Sequence, residues 1–227
     1  AQKMWDNLPN LLEDTTERIL PMIDTSGSMF GMPLTIALGL GVYLSQRNES
    51  DFKDMFLSFS EEPELIKLQG DTIGEIMRTT QGAHWGMNTD FEKAYRLILD
   101  RAVNFNVDPD SMPTMLLVLS DMQFDESQNS YDGKMMTHYS WMAEEYEKAG
   151  YKLPKIVFWN LDAHMGTPAR CSDENVAMVS GFSPSIMKAI LNAENFTPMD
   201  VMLEALKPIE LDYDNLSEKL DIDWNRE

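Results

Sequence analysis

Cysteine is all but missing from this chain: Cys171 is the only one in 227 residues. A lone thiol cannot close an internal disulfide, which excludes a disulfide-stapled scaffold and points to a reducing, cytoplasmic compartment. Cys171 reads as structural, since no histidine or basic neighbour can be placed beside it to favour a thiolate. Basic charge is scarce too, with 18 Lys and Arg against 38 Asp and Glu and a formal net charge of −20. Such a surface repels phosphate backbones, so the chain is not expected to grip nucleic acid unaided. It suits a cation site or basic partners. Long apolar runs are also lacking. None approaches the roughly 20 residues that span a bilayer, and no basic-then-apolar leader opens the sequence, so no membrane partner is expected. The three histidines, His84, His138 and His164, lack zinc-ligand spacing. The first residue is Ala1, not Met, which suits a fragment or a processed product.

What is present is ordinary globular material, 43% apolar and long enough for one generous α/β domain. Met4, Trp5, Leu8, Leu11 and Leu12 recur at helical spacing over 2–14, broken by Pro9, and 1–18 form a lead-in helical segment. Strands are expected at 19–23, 52–60, 65–68, 114–119, 155–160 and 176–180. Helices are expected at 33–46, 71–81, 90–104, 136–149, 183–191 and 197–206. Gly39 and Gly41 in the second helix suggest close packing on a sheet, and Trp141, Met142 and Tyr146 a buried stripe. Pro21 is awkward inside its strand because it cannot donate to a ladder. Apolar strands without alternation imply burial on both faces, hence a Rossmann-like fold whose central sheet is mostly parallel, with one antiparallel edge strand and helices on both faces. The domain is placed at 19–206, and 207–227 is an acidic tail.

Two of the apolar runs end in an acid. Ile19–Ile23 leads into Asp24-Thr25-Ser26-Gly27-Ser28, and Thr114–Leu119 into Ser120-Asp121. Ligands of open α/β sheets gather beyond the carboxyl ends of the strands, so Asp24 and Asp121 should share that rim. A carboxylate followed by hydroxyls at alternate positions offers the oxygen donors that hard divalent cations prefer. Other chemistry fits less well. A phosphatase of the haloacid-dehalogenase type would need an acid where Ser26 stands. Neither a Gly-x-Ser-x-Gly elbow nor a phosphate-binding Gly-x-x-x-x-Gly-Lys-Ser/Thr is present. Glu61, Glu62, Asp125 and Glu126 read as solvated turn residues, and His84 as a loop hydrogen-bonding residue.

The spacing Asp24-x-Ser26-x-Ser28 resembles the metal-ion-dependent adhesion site of von Willebrand factor A (VWA) domains. Further stretches are similar to the Ro/TROVE-like branch of that superfamily, a domain family of unknown function. They are Trp85-Gly86-Met87-Asn88-Thr89, Leu119-Ser120-Asp121-Met122-Gln123-Phe124-Asp125, Ile156-Val157-Phe158-Trp159-Asn160-Leu161 and Val179-Ser180-Gly181-Phe182-Ser183. The resemblance implies a metal site of Asp24, Ser26, Ser28, Thr89 and Asp121. Its ion would be Mg²⁺, with Mn²⁺ or Ca²⁺ as alternatives, completed by an Asp or Glu carboxylate from a protein partner. It implies no catalysis. It also implies a second reading, the VWA half of a Ro-like RNA-binding ribonucleoprotein component, whose RNA contacts would lie in helical repeats upstream of Ala1. A metal-dependent hydrolase is a third, disfavoured reading.

Overall fold

The computed structural model describes residues 1–13, 15–60, 62–82, 90–122, 141–161 and 176–181, with the short pieces 186–187 and 190–191. Its centre is a six-stranded sheet: β1 (Ile19–Ile23), β2 (Met55–Ser58), β3 (Leu65–Lys67), β4 (Met115–Ser120), β5 (Lys155–Asn160) and β6 (Val176–Ser180). The spatial order is β3-β2-β1-β4-β5-β6, with all neighbours parallel except β2 and the edge strand β3. The described helices are α1 (Gln2–Asp6), α2 (Met32–Arg47), α3 (Ile73–Gln81), α4 (Phe91–Phe105) and α5 over 141–148. The expectation of a mostly parallel sheet with one antiparallel edge strand is met. Expected helices 183–191 and 197–206, the tail from 207 and Cys171 lie wholly or largely outside the described residues.

The continuous apolar strands are continuous because both sheet faces are covered. Ile19 and Ile23 of β1, Leu117 and Leu119 of β4, and Val157 and Trp159 of β5 pack with Ala37, Leu38 and Leu44 of α2. The alternate residues Leu20, Met22, Leu116, Val118, Ile156 and Phe158 pack with Phe91, Ala94, Tyr95 and Ile98 of α4 and with Met142 and Tyr146 of α5. Full burial of one such aliphatic side chain stabilises by about 1.5–3 kcal/mol. That double layer offsets the burial of polar groups at its rim. Trp141 departs from the expected stripe: it stays 37% exposed, with the Arg96 guanidinium 4.3 Å from its ring centre. It faces out while Met142 and Tyr146 of the same helix fill the buried side.

Pro21 lies in a strand with neighbours on both sides, where a missing N–H should break a ladder. The register explains its tolerance. The Asp24 N–H donates to Leu119 O at 2.9 Å, so the even-numbered residues of β1 turn their N–H groups to β4. Pro21 therefore faces the β2 side, where pairing begins only at Met22 with Leu57. On that same side the amide of Asn48 donates to Ile19 O at 3.0 Å. No ladder bond is lost.

Local capping starts α3 and α4. Thr72 and Glu75 form a reciprocal capping box on α3, and the Asp90 carboxylate accepts from the Lys93 N–H to start α4. Of the one or two short helices expected over 2–14, broken at Pro9, the first is present and ends at Asp6. Beyond it the Tyr43 hydroxyl donates to Pro9 O at 2.6 Å and accepts from the Leu11 N–H at 2.8 Å, holding 9–11 against α2. The two α2 glycines differ, which corrects the expectation for Gly39. A Cβ on Gly41 would lie 2.3 Å from Ile23 Cδ1, whereas one on Gly39 would meet nothing within 4 Å.

Gly41 is thus what lets α2 sit down on β1 beside Asp24. Gly41→Ala is expected to destabilise by about 1–3 kcal/mol through overpacking, despite its gain in helix propensity. Gly39→Ala should stabilise by up to about 1 kcal/mol. Urea denaturation of the two variants checks the contrast.

Candidate metal site at the sheet rim

In this strand order β1 and β4 are parallel neighbours whose crossovers leave in opposite directions, β1 toward β2 and β4 toward β5. A topological switch point of this kind opens a crevice beyond the strand ends. Asp24 and Asp121 follow those two strands directly. Ile23 pairs with Leu119, so Asp24 comes opposite Ser120, with Asp121 one residue further along the chain. Both acids are buried, at 2% and 1% exposure.

The loop after β1 is shaped by its own acid. Asp24 Oδ1 accepts the Ser26 N–H at 2.8 Å, curling the chain back over the carboxylate. A single 3-10 turn, Gly27–Met29, follows, and the fully buried Met29 pins it to the core. Between these two anchors the hydroxyls of Ser26 and Ser28 come to 3.0 Å from one another. Ser28 is exposed and Ser26 half-buried.

The donor chemistry fits a small hard cation. Adjacent oxygen ligands of an octahedral ion at about 2.0–2.1 Å stand about 2.9–3.0 Å apart, the separation of the serine pair. Two carboxylates and two neutral hydroxyls are the oxygen donors Mg²⁺ takes. Among the described residues no group of three His, Cys, Asp or Glu could hold a metal. A site here therefore draws on hydroxyls as much as on acids. The structure brings Asp24, Ser26, Ser28 and Asp121 to one rim. Thr89 lies outside the described residues, as do Glu61, His84, Asp125 and Glu126. The residue after Thr89 is placed: the Asp90 N–H donates to Ser60 O, just beyond β2. Glu62 is exposed as expected and paired with Lys93 at 2.5 Å.

One residue of the rim was missed from sequence. Ser120, fully buried, donates its hydroxyl to Asp24 Oδ2 at 2.5 Å and accepts the Met122 N–H at 3.0 Å. The available signal was its place one step before Asp121 at a strand end. Its partner Asp24 is 96 positions away, and only the β1–β4 register reveals it.

Burial pushes the Asp24 carboxyl above its usual value of 3.8; the hydrogen bonds from Ser120 and Ser26 pull it down, and the nearby Asp121 charge pushes it up again. Desolvation wins. Burial therefore makes the charged form of Asp24 costly, a cost that a cation would lower.

A six-stranded sheet of this order, mostly parallel with one antiparallel edge strand and helices on both faces, is a Rossmann-like α/β fold of the VWA-like class. The chain belongs to the family described as "Domain of unknown function (DUF7788)", whose model matches residues 19–219. It is 31% identical over 215 residues to "Uncharacterized protein L728" of Acanthamoeba polyphaga mimivirus, a match covering 93% of this chain and 37% of that protein. The chain therefore spans little more than a third of that curated relative. Among solved structures it is similar to the "Crystal structure of Deinococcus radiodurans RO (RSR) protein". The TM-score is 0.50 at 17% identity, covering 88% of this chain and 36% of that one. At that identity the likeness speaks for the fold.

The raised Asp24 carboxyl makes the metal-free chain pH-sensitive in a definite sense. The folded state binds this proton more tightly than the unfolded state, so Asp24 destabilises the fold once pH exceeds its raised native value. That penalty fades as pH falls toward the ordinary 3.8. Unfolding free energies in chelator should show a component that declines with rising pH in that window. Asp24→Asn should flatten it.

Proposed function

We propose that this chain is a divalent-metal-dependent protein-interaction module. Asp24, Ser26, Ser28, Thr89 and Asp121 would hold Mg²⁺, with Mn²⁺ or Ca²⁺ as alternatives, and an Asp or Glu carboxylate of a protein partner would complete the site. The observation that carries this reading is the convergence of two buried acids from neighbouring strands beside a hydroxyl pair at 3.0 Å. When bound, the ion supplies an electrophilic centre to an incoming oxygen. Three of the five proposed ligands are neutral hydroxyls and the two acids can act through bound waters, so few anionic oxygens need touch the ion and it stays electrophilic. The acidic surface, net −20, would repel an acidic partner elsewhere, which confines attraction to the ion. No nucleophile is required, and the module is proposed as non-enzymatic and cytoplasmic. Among the described residues no helix is long and apolar enough to cross a membrane.

A second reading is favoured by the fold likeness to the Deinococcus Ro protein and by the chain's one-third share of such longer proteins. In it, this domain is the VWA half of a Ro-like RNA-binding component. The RNA contacts would lie outside this chain, in keeping with its charge. Filter binding separates the two: the isolated domain should retain no RNA, and a longer relative carrying upstream helical repeats should retain it.

Calorimetric titration with Mg²⁺ tests the primary reading. Wild type should take up one ion, and both Asp24→Ala and the double variant Ser26→Ala/Ser28→Ala should bind at least about tenfold more weakly. The serine variant removes one half-buried and one exposed hydroxyl while leaving the Ser26 N–H bond to Asp24 in place, and should keep its fold. Superimposable curves for all three would remove the metal.

A further inference from the structure

We propose that Ser120 is the positioning residue of this site, one hydroxyl that sets both buried carboxylates. The role rests on the metal-dependent reading above. Ser120 closes β4 opposite Asn160 of β5, and its carbonyl accepts the Leu161 N–H at 2.8 Å, so its backbone is fixed from the β5 side. From the β1 side, the neighbouring Leu119 carbonyl accepts the Asp24 N–H at 2.9 Å. The side chain then joins the two acidic loops to each other.

A serine hydroxyl has one proton and two lone pairs. The Met122 N–H occupies a lone pair at 3.0 Å, and the proton is directed to Asp24 Oδ2 at 2.5 Å. The polarity of the pair follows: Ser120 donates and the Asp24 oxygen accepts. The other oxygen, Oδ1, already accepts the Ser26 N–H at 2.8 Å. Each oxygen of this carboxylate is therefore held by a different segment, one by the loop after β1 and one by the end of β4, and its plane is set. A donor aimed at a carboxylate also favours its charged form, the form a metal needs.

The second carboxylate is set through the backbone. Met122 is 5% exposed with φ +60, a left-handed conformation that a long side chain seldom adopts. Its N–H bond to the Ser120 hydroxyl spans Asp121 and holds that turn. Asp121 is thus presented between a strand residue and a strained residue, both tied to the same oxygen. Ser120 need not touch the ion. It acts through Asp24 and Asp121.

The test compares Mg²⁺ titration with melting in chelator for wild type, Ser120→Ala, Ser120→Cys and Ser120→Thr. Removing a group that orients metal ligands typically weakens metal binding by 10–100-fold. Ser120→Ala should fall in that range. Ser120→Cys, close in size but a weak donor, should lose several-fold, and keeps the test open if the alanine variant does not fold. Ser120→Thr keeps the hydroxyl and should bind within about threefold of wild type. A merely structural Ser120 would lower the melting temperature in chelator while folded Ala and Cys variants bound Mg²⁺ like wild type, and that result overturns the proposal. So would a threonine variant that binds as weakly as alanine. Wild type that takes up no Mg²⁺ would instead remove the metal reading itself, and this role with it.

Discussion

Two carboxylates are kept out of water at the ends of adjacent strands, and the rest of the rim is arranged around that constraint. The pairing of Ile23 with Leu119 forces Asp24 and Asp121 into the same corner. A carboxylate in such surroundings is costly unless hydrogen-bonded or neutralised. Asp24 has hydrogen bonds from two loops and still has its carboxyl pushed up by burial. Purely structural acids are seldom paired in this way, since like charges at close range raise the cost for each other. A divalent ion between them would offset both the desolvation and the mutual repulsion, and the serine oxygens stand beside it as further donors.

The surrounding fold explains why the corner is so rigid. Both sheet faces are packed, and Gly41 of α2 comes close enough to β1 that a methyl group would collide with Ile23. Met29 pins the serine turn from beneath, while the Ser26 N–H curls it over Asp24 from above. The hydroxyl pair is therefore a consequence of core packing and a local Asx turn acting on a short segment. The strongly acidic surface adds a further constraint, because any attraction to an anionic group must come from the site and not from the general field.

Much of this was legible in the sequence, for physical reasons that differ by element. β5 and β6 were read to the residue, since apolar runs flanked by polar or loop-forming residues define their own ends. α4 was read closely because its apolar face is periodic and Asp90 caps it. The acids at two strand ends were visible, and chain direction alone placed them on one rim. Other features depend on tertiary register. Pro21 looked out of place until its N was seen to face the side where β2 has not yet begun to pair. Gly39 and Gly41 look alike in sequence, yet only one touches the sheet. Trp141 was assigned to a stripe that its neighbours fill without it. Ser120 could not be distinguished from a strand-end serine until the partner 96 positions away was known. Thr89 lies outside the described residues, so its assignment still rests on motif order.

The most direct measurement is anomalous diffraction from crystals grown with Mn²⁺. One peak is expected at the β1–β4 switch point, within coordination distance of Ser26 Oγ, Ser28 Oγ and the Thr89 hydroxyl, with Asp24 and Asp121 bound to the ion or to its waters. A map with no peak there, or with Thr89 on another side of the domain, would contradict the account and leave two buried acids held by hydrogen bonds alone.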